Sequence, residues 1–346
     1  RGLPVPSWHT PYDASIMSEA SATPPAPATW TTRSLMEWMT GYFTERGVDS
    51  PRLITDMLLA HVLGCERMRL YMDTDRPAAP EELERLRDLV RRAGRHEPVQ
   101  YLLGEAWFFG RPFAVDASTL IPRPSTEALV EHLLQMIRRD DAPATDDTPP
   151  ASPEEDDTTT RPTTATAATA SERPLRILDV GTGTGCIVIS LLAQLPAATA
   201  VATDIDDAVL ELAARNASTH GVAERLELRR GGLLQPIGSE ETFDLIVANL
   251  PYIPDHEWNE VGGNVRDWEP VRALRGGVDG LDLVRPLVAS APERLVSGGR
   301  LALEIAAVQR DAVDEMLRAD PRLEGVEFVR DWDGHWRVAT ARRRVT

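Results

Sequence analysis

Cysteine is scarce in this 346-residue chain, occurring only as Cys65 and Cys186, far apart and with no CxxC spacing. That excludes a disulfide framework and a thiolate zinc site, suits a reducing compartment, and leaves both as small buried hydrophobes. Long apolar runs are missing: no stretch reaches eighteen residues, and no basic region followed by an apolar one opens the chain. Neither a membrane span nor a secretory signal is expected, so the expected place is the cytoplasm. Clustered basic charge is missing too. The formal net charge is −17, whereas phosphate backbones are met by grouped Lys and Arg, so direct nucleic-acid binding is not expected. Residues 140 to 173 hold nine acidic residues and two Arg, −7 of that total. The remainder is still acidic, and ArgArgArg at 342–344 reads as a solvated end.

What is present divides along the chain. Residues 1–28, rich in Pro, Ala and Ser, read as a disordered leader. From Thr31, Leu35, Trp38, Met39, Tyr42 and Phe43 recur at helical spacing until Gly47; Ser50 and Pro51 then read as cap and first-turn proline of a second helix. That helix carries Ile54, Met57, Leu58, His61 and Val62, with His61 expected as a packed core histidine. A third helix starts at Pro80. These make a helical domain over 29–95. Residues 96–124 read as a β-hairpin connector turning at Gly110 to Pro112. In LIPRPSTEALVEHLLQMI, Ser125 or Thr126 is expected to cap a helix, and Arg123 sits on a short tether between prolines, a surface charge or a substrate-side group. The segment 140–173, mostly Pro, Thr, Ala and acid with no aromatic residue, reads as a disordered insertion in the last domain, 125–346. There strands at 175–180, 199–203, 226–229, 243–248 and 300–305 alternate with helices at 186–195, 206–219, 281–296 and 307–319, and AspGly at 333–334 marks a closing hairpin. The expected fold is α/β: a mostly parallel, doubly wound, Rossmann-like sheet ending in an antiparallel hairpin.

Chemistry concentrates at two strand ends, where an open α/β sheet keeps its ligands. After the first strand, Gly181, Thr182, Gly183, Thr184 and Gly185 form a GxGxG loop before a helix, a geometry for close approach of a nucleotide-type ligand. Position 186 is Cys where a dinucleotide fingerprint has Gly or Ala. Asp204 ends the second strand, placed to accept both hydroxyls of a ribose, and Asp179 lies beside the loop, suited to a cationic group. No Walker A lysine is present. These features favour S-adenosyl-L-methionine, a ribose with a cationic centre and no phosphate, with NAD the competing ligand. At the other strand end, FDLIVANLPYIP sends Asn249, Leu250, Pro251 and Tyr252 out as a proline-stiffened loop, either an ordinary turn or a grip for a planar NH2 group.

ILDVGTGTG, TDID and ANLPY in this order resemble class I S-adenosylmethionine-dependent methyltransferases that modify amino groups. EPVQYLLGEAWFFGRPFAV, TLIPRPSTEALVE, RDWEPVRALRGGVDGLD and the helical N-terminal domain narrow the resemblance to the bacterial peptide chain release factor N(5)-glutamine methyltransferases, over roughly residues 30 to 340. The resemblance implies methyl transfer from S-adenosylmethionine to the glutamine amide of the Gly-Gly-Gln motif of class 1 release factors. The chain would act as a cytoplasmic monomer in translation termination, with no metal. It implies that the Asn249 side chain and the Leu250 carbonyl accept the two amide N–H groups while Tyr252 packs on the amide plane. Two positions depart from the family. Leu250 stands where proline is usual, as in adenine-methylating enzymes, so adenine N-methylation of nucleic acid is the alternative. GlyGly at 231–232 replaces an acidic residue that meets adenine, which shifts cofactor contact toward Leu233.

Overall fold

The computed structural model describes residues 29–140 and 174–345; the leader and all but the first residue of the acidic insertion lie outside them. The described residues group into two compact units. One holds 29–106, 112–121 and 257–273, and the other holds 107–111, the described part of 122–256, and 274–345.

The first unit is helical: α1 (Thr32–Glu45), α2 (Pro51–Leu63), α3 (Arg67–Met72), α4 (Pro80–Ala93) and α5 (Val99–Leu103). Its core joins Leu35, Met39 and Phe43 of α1 to Leu58, Leu59 and Val62 of α2 and to Leu86 and Val90 of α4, the expected stripes of amphipathic helices. His61 corrects its expectation: it is exposed, because it points away from the stripe of Thr55, Leu59 and Val62. Ser50 holds the N-cap position in a left-handed conformation with no capping bond, so Pro51 alone presets the first turn. Segment 257–273 joins this unit although it lies far along the chain; there the buried Glu269 carboxylate accepts from the Ile121 N–H at 3.1 Å. β1 (Glu105–Phe108) and β2 (Arg111–Ala114) form the hairpin.

The second unit alternates as its hydrophobic pattern requires. α6 (Pro124–Asp140) precedes β3 (Arg176–Val180), α7 (Cys186–Gln194), β4 (Thr199–Asp204), α8 (Asp207–Thr219), β5 (Leu226–Arg230) and β6 (Phe243–Ala248). After α9 (Gly263–Arg266), which belongs to the helical unit, come α10 (Val284–Ser290), β7 (Leu295–Glu304), α11 (Arg310–Ala319), β8 (Leu323–Arg330) and β9 (Trp336–Arg343). The sheet order is β5-β4-β3-β6-β7-β9-β8, parallel from β5 to β7 and antiparallel in the last two pairings. The strand order reverses at β3, the switch point where such sheets bind ligands.

Three local expectations are corrected. The helix expected over 281–296 stops at Ser290, after which Pro292 sits in a 3-10 turn and 295–299 extend β7 through a register shift opposite Phe243. The ArgArgArg segment is not a solvated end, since β9 runs to Arg343 and the Arg342 guanidinium donates to the Gly298 carbonyl. α6 begins at Pro124, so Ser125 and Thr126 lie inside its first turn instead of capping it. Phe243, fully buried under the Arg176 guanidinium, which stands 4.6 Å from the ring centre, anchors the sheet core. Phe243→Ala should lower the unfolding free energy of this unit by about 3–5 kcal/mol, read as a shifted urea midpoint.

Candidate active site

The parallel pairing of β3 with β4 and β6 brings three strand ends together. At the end of β3, the Gly181 and Thr182 amides both donate to the Thr203 carbonyl at 2.9 Å, which bends the chain sharply out of the sheet. Gly181, Gly183 and Gly185 all have positive φ, at 73°, 56° and 79°, where a Cβ is strained. A Cβ on Gly185 would stand 2.7 Å from Ile189, so that glycine also lets α7 close on its own turn; one on Gly183 would meet nothing within 4 Å. Gly183 therefore keeps open space clear, which is room for a ligand. Thr184 is tied down by its carbonyl, which accepts from the Asn216 side chain at 2.9 Å.

Asp204, at the end of β4, takes the Gly183 N–H at 3.2 Å on one oxygen and the Asp206 N–H at 3.3 Å on the other. Each oxygen keeps lone-pair capacity for a diol. Burial pushes its pKa up. Ile205, next in the chain, is 55% exposed, an apolar face beside the loop that the sequence reading passed over; a large hydrophobic directly after a strand-end acid was the available signal. Leu233 has φ of 49° and its carbonyl accepts from the Thr203 hydroxyl at 3.2 Å, while its half-buried side chain leans on the core.

Asp179 is fully buried. Its Oδ2 accepts from the Thr182 hydroxyl at 2.7 Å, whereas Oδ1 has no well-formed hydrogen bond among the described residues. Desolvation raises its pKa to about 7 against the pull of Thr182. A lone buried carboxyl gains most from a cation placed beside it, so the cradle fits S-adenosylmethionine: open space over glycines, a diol acceptor and an orphaned anion for a positive centre. Cys186, beside this acid, has its thiol pushed up to about 12 by burial and is inert packing.

At the end of β6, Asn249 donates from Nδ2 to the Thr126 hydroxyl oxygen at 3.2 Å, which leaves its carbonyl oxygen facing the other way. Leu250 is buried, with Cδ2 3.2 Å from where a Gly181 Cβ would stand. No backbone hydrogen bond among the described residues ends on its carbonyl. The loop is braced from behind: Gln309 donates to the Tyr252 carbonyl at 2.9 Å, and a Cβ on Gly276 would stand 2.5 Å from the Pro251 carbonyl oxygen. Burial foremost, then the Glu304 charge, pushes the Tyr252 phenol up to about 12, with Arg337 and Arg123 pulling the other way. The structure thus brings Arg123 into the surroundings of Tyr252. Thr126 of the TLIPRPSTEALVE motif, Glu304 and Arg337 join them, and no motif in the sequence marked the last two.

Comparison with known proteins places the chain in a family. Residues 34–104 match the PrmC N-terminal domain family and residues 177–268 a methyltransferase domain family. The release factor glutamine methyltransferase of Geobacter sulfurreducens is 39% identical over 287 residues, covering 83% of this chain and 88% of that protein. The chain belongs to the release factor glutamine methyltransferase family. Enzymes of the same name from Chlorobaculum tepidum, at 36% identity over 82% of this chain and 88% of the relative, and Rhodopirellula baltica, at 31% over 91% and 97%, extend the match. As a member of this family the chain is a methyltransferase whose methyl donor is S-adenosylmethionine, and adenine methylation is not favoured. Among the described residues no helix is long and apolar enough to cross a membrane.

Two outcomes follow from the geometry. Asp179 carries a folded pKa above its ordinary value, so it takes up a proton on folding; its contribution to stability is full below pH 4 and declines as pH rises toward about 7. Asp179→Asn should therefore raise the melting temperature at pH 8 by about 2–4 °C while weakening S-adenosylmethionine in calorimetry. Gly276→Ala should cut kcat by about tenfold or more through the displaced loop, with donor binding retained.

Proposed function

We infer that this enzyme methylates the side-chain amide nitrogen of the glutamine in the Gly-Gly-Gln motif of class 1 peptide chain release factors, with Asn249, Leu250, Pro251 and Tyr252 as the working loop. The observation that supports the reading is the Asn249 amide: one of its two N–H bonds goes to Thr126, which holds the nitrogen on that side and turns the carbonyl oxygen, an acceptor, the other way. A primary amide needs acceptors there, because its nitrogen lone pair is delocalised and its two N–H bonds must be held for the lone pair to face a methyl group. The Asn249 carbonyl oxygen and the Leu250 main-chain carbonyl would take one N–H each, orienting the nitrogen and favouring the positive charge that grows on it. Tyr252, kept neutral by burial, would cover the amide plane, and Pro251 would hold the carbonyl direction.

S-adenosylmethionine, when bound, supplies an electrophilic methyl group on a sulfonium. Gly181, Thr182, Gly183, Thr184 and Gly185 would line it, Asp204 would accept from its ribose, Asp179 would face its cationic end, and Leu233 would give apolar contact. Leu250 supplies the same carbonyl as proline, and its burial against Gly181 gives its side chain a packing role instead of an adenine-binding one. Arg123, near Tyr252, is assigned to the substrate side. The acidic net charge of −17 argues against direct nucleic-acid binding, and the enzyme is assigned to act on protein, in the cytoplasm and as a monomer.

The test is incubation with labelled S-adenosylmethionine and either a release factor or ribosomal RNA. Label should enter the release factor and vanish when its Gly-Gly-Gln glutamine is replaced; label in the RNA would reverse the assignment. Asn249→Ala should reduce kcat on the release factor by about 10²-fold or more at saturating donor. A near-normal kcat would remove Asn249 from the clamp.

A further inference from the structure

The turn after β5 is fastened to the end of β4 at two points. The Gly231 N–H donates to the Asp204 carbonyl at 2.9 Å, and the Thr203 hydroxyl donates to the Leu233 carbonyl at 3.2 Å. The turn then closes on itself, the Gln235 N–H donating to the Gly232 carbonyl at 3.0 Å. Closure folds the Gln235 side chain back over the glycine. A Cβ on Gly232 would stand 3.4 Å from Gln235 Oε1, 3.8 Å from its Cδ and 3.7 Å from Ile205 Cγ2. The space that a side chain at 232 would enter is therefore framed by Ile205, directly after Asp204, and by the Gln235 carboxamide. Other polar side chains along this edge are engaged: Asp204 accepts two backbone N–H groups, Asp206 caps α8 by accepting from the Ala208 N–H at 2.8 Å, and Asp207 pairs with Arg230 at 2.7 Å. The Gln235 side chain is exposed, and its carboxamide makes no hydrogen bond among the described residues.

A ribose held at Asp204 carries its base one bond away, and the base of S-adenosylmethionine is flat, with apolar faces and a polar edge. Ile205, 55% exposed, offers an apolar surface to a face of the ring. Along the edge, adenine sets its 6-amino N–H beside a ring-nitrogen acceptor, and a planar carboxamide presents the complementary acceptor and donor in one plane. An ionised carboxylate offers acceptors only, so it would meet the amino group but not the ring nitrogen. We infer that Gln235 reads the 6-amino edge of the methyl donor's adenine. Its Oε1 accepts from the amino group, its Nε2–H donates to the neighbouring ring nitrogen, and the pair fills the place left by the side chain missing at 232.

The inference rests on the placement of the ribose at Asp204, and calorimetry on the full chain separates the two. The titrants are S-adenosylhomocysteine, the demethylated form of the methyl donor, and its counterpart with hydrogen in place of the 6-amino group. Wild type should bind the counterpart about tenfold more weakly. Gln235→Ala should bind S-adenosylhomocysteine about tenfold more weakly than wild type does, yet distinguish the two ligands by less than about twofold, since the partner of the amino group is gone. Its melting temperature without ligand should match wild type, because the side chain is exposed. Gly232 lies outside the left-handed region, and with Gln235 cut back the nearest atom to its Cβ is Ile205 Cγ2 at 3.7 Å. Gly232→Asp added to Gln235→Ala should therefore send an acceptor into the same space and recover the preference for the amino-bearing ligand. Wild-type affinity in Gln235→Ala, or wild-type discrimination between the two ligands, would overturn the inference. Asp204→Ala should weaken both ligands by the same factor. If it weakened neither, the ribose placement would fall, while the comparison of the two ligands at Gln235 still decides the inference.

Discussion

The parallel pairing of β3 with β6, Val180 opposite Ala248, is the constraint on which the site depends. It delivers Gly181 and Leu250 to the same level, where a Cβ on Gly181 would press on the leucine Cδ2 at 3.2 Å and the φ of 73° favours glycine. Every other element follows from that register. The β3 loop leaves the sheet over Thr203, the β6 loop leaves over Gly276 and Gln309, and the space kept clear lies between two acceptor-rich loop ends. A slip of one residue would turn every side chain of β6, buried on both faces of the sheet, to the opposite side and send the Asn249 side chain with them.

Burying two carboxyl groups, Asp179 and Glu304, opposes folding, and both are held near pH 7 by desolvation. A packed apolar core would be more stable there. The two acids instead lie at the two strand ends, Asp179 beside the loop expected to meet a cation and Glu304 level with Asn249. Stability given up at such positions is recovered by the surrounding cluster of Phe243, Ile246, Leu301 and Leu303, which is almost fully buried.

The relatives fix the family over most of the chain, while Leu250 marks where this member differs from the usual tetrapeptide. In the clamp we propose, the group that works at this position would belong to the backbone, which leaves the buried leucine side chain to serve the core. The same proposal separates Asn249, which would work through its side chain, held on one side by Thr126.

Much of this was legible in the chain itself. The alternation of apolar strands and helices dictates a parallel sheet, the GxGxG loop and Asp204 mark the ligand edge, and ANLPY marks the other strand end, because these signals are local in sequence and set by backbone geometry. Helix ends were read less well: α10 gives way to β7 around Pro292, and Thr126 lies within α6, since tertiary pairing overrides local propensity at boundaries. Tertiary structure alone decided which polar groups stand without partners. Glu304 reads as the last residue of an ordinary strand, and only the closure of β7 between β6 and β9 makes it a buried acid level with Asn249, to which Thr126 is brought from 123 residues away, because burial and hydrogen-bond satisfaction are properties of neighbours in space and not of neighbours in sequence.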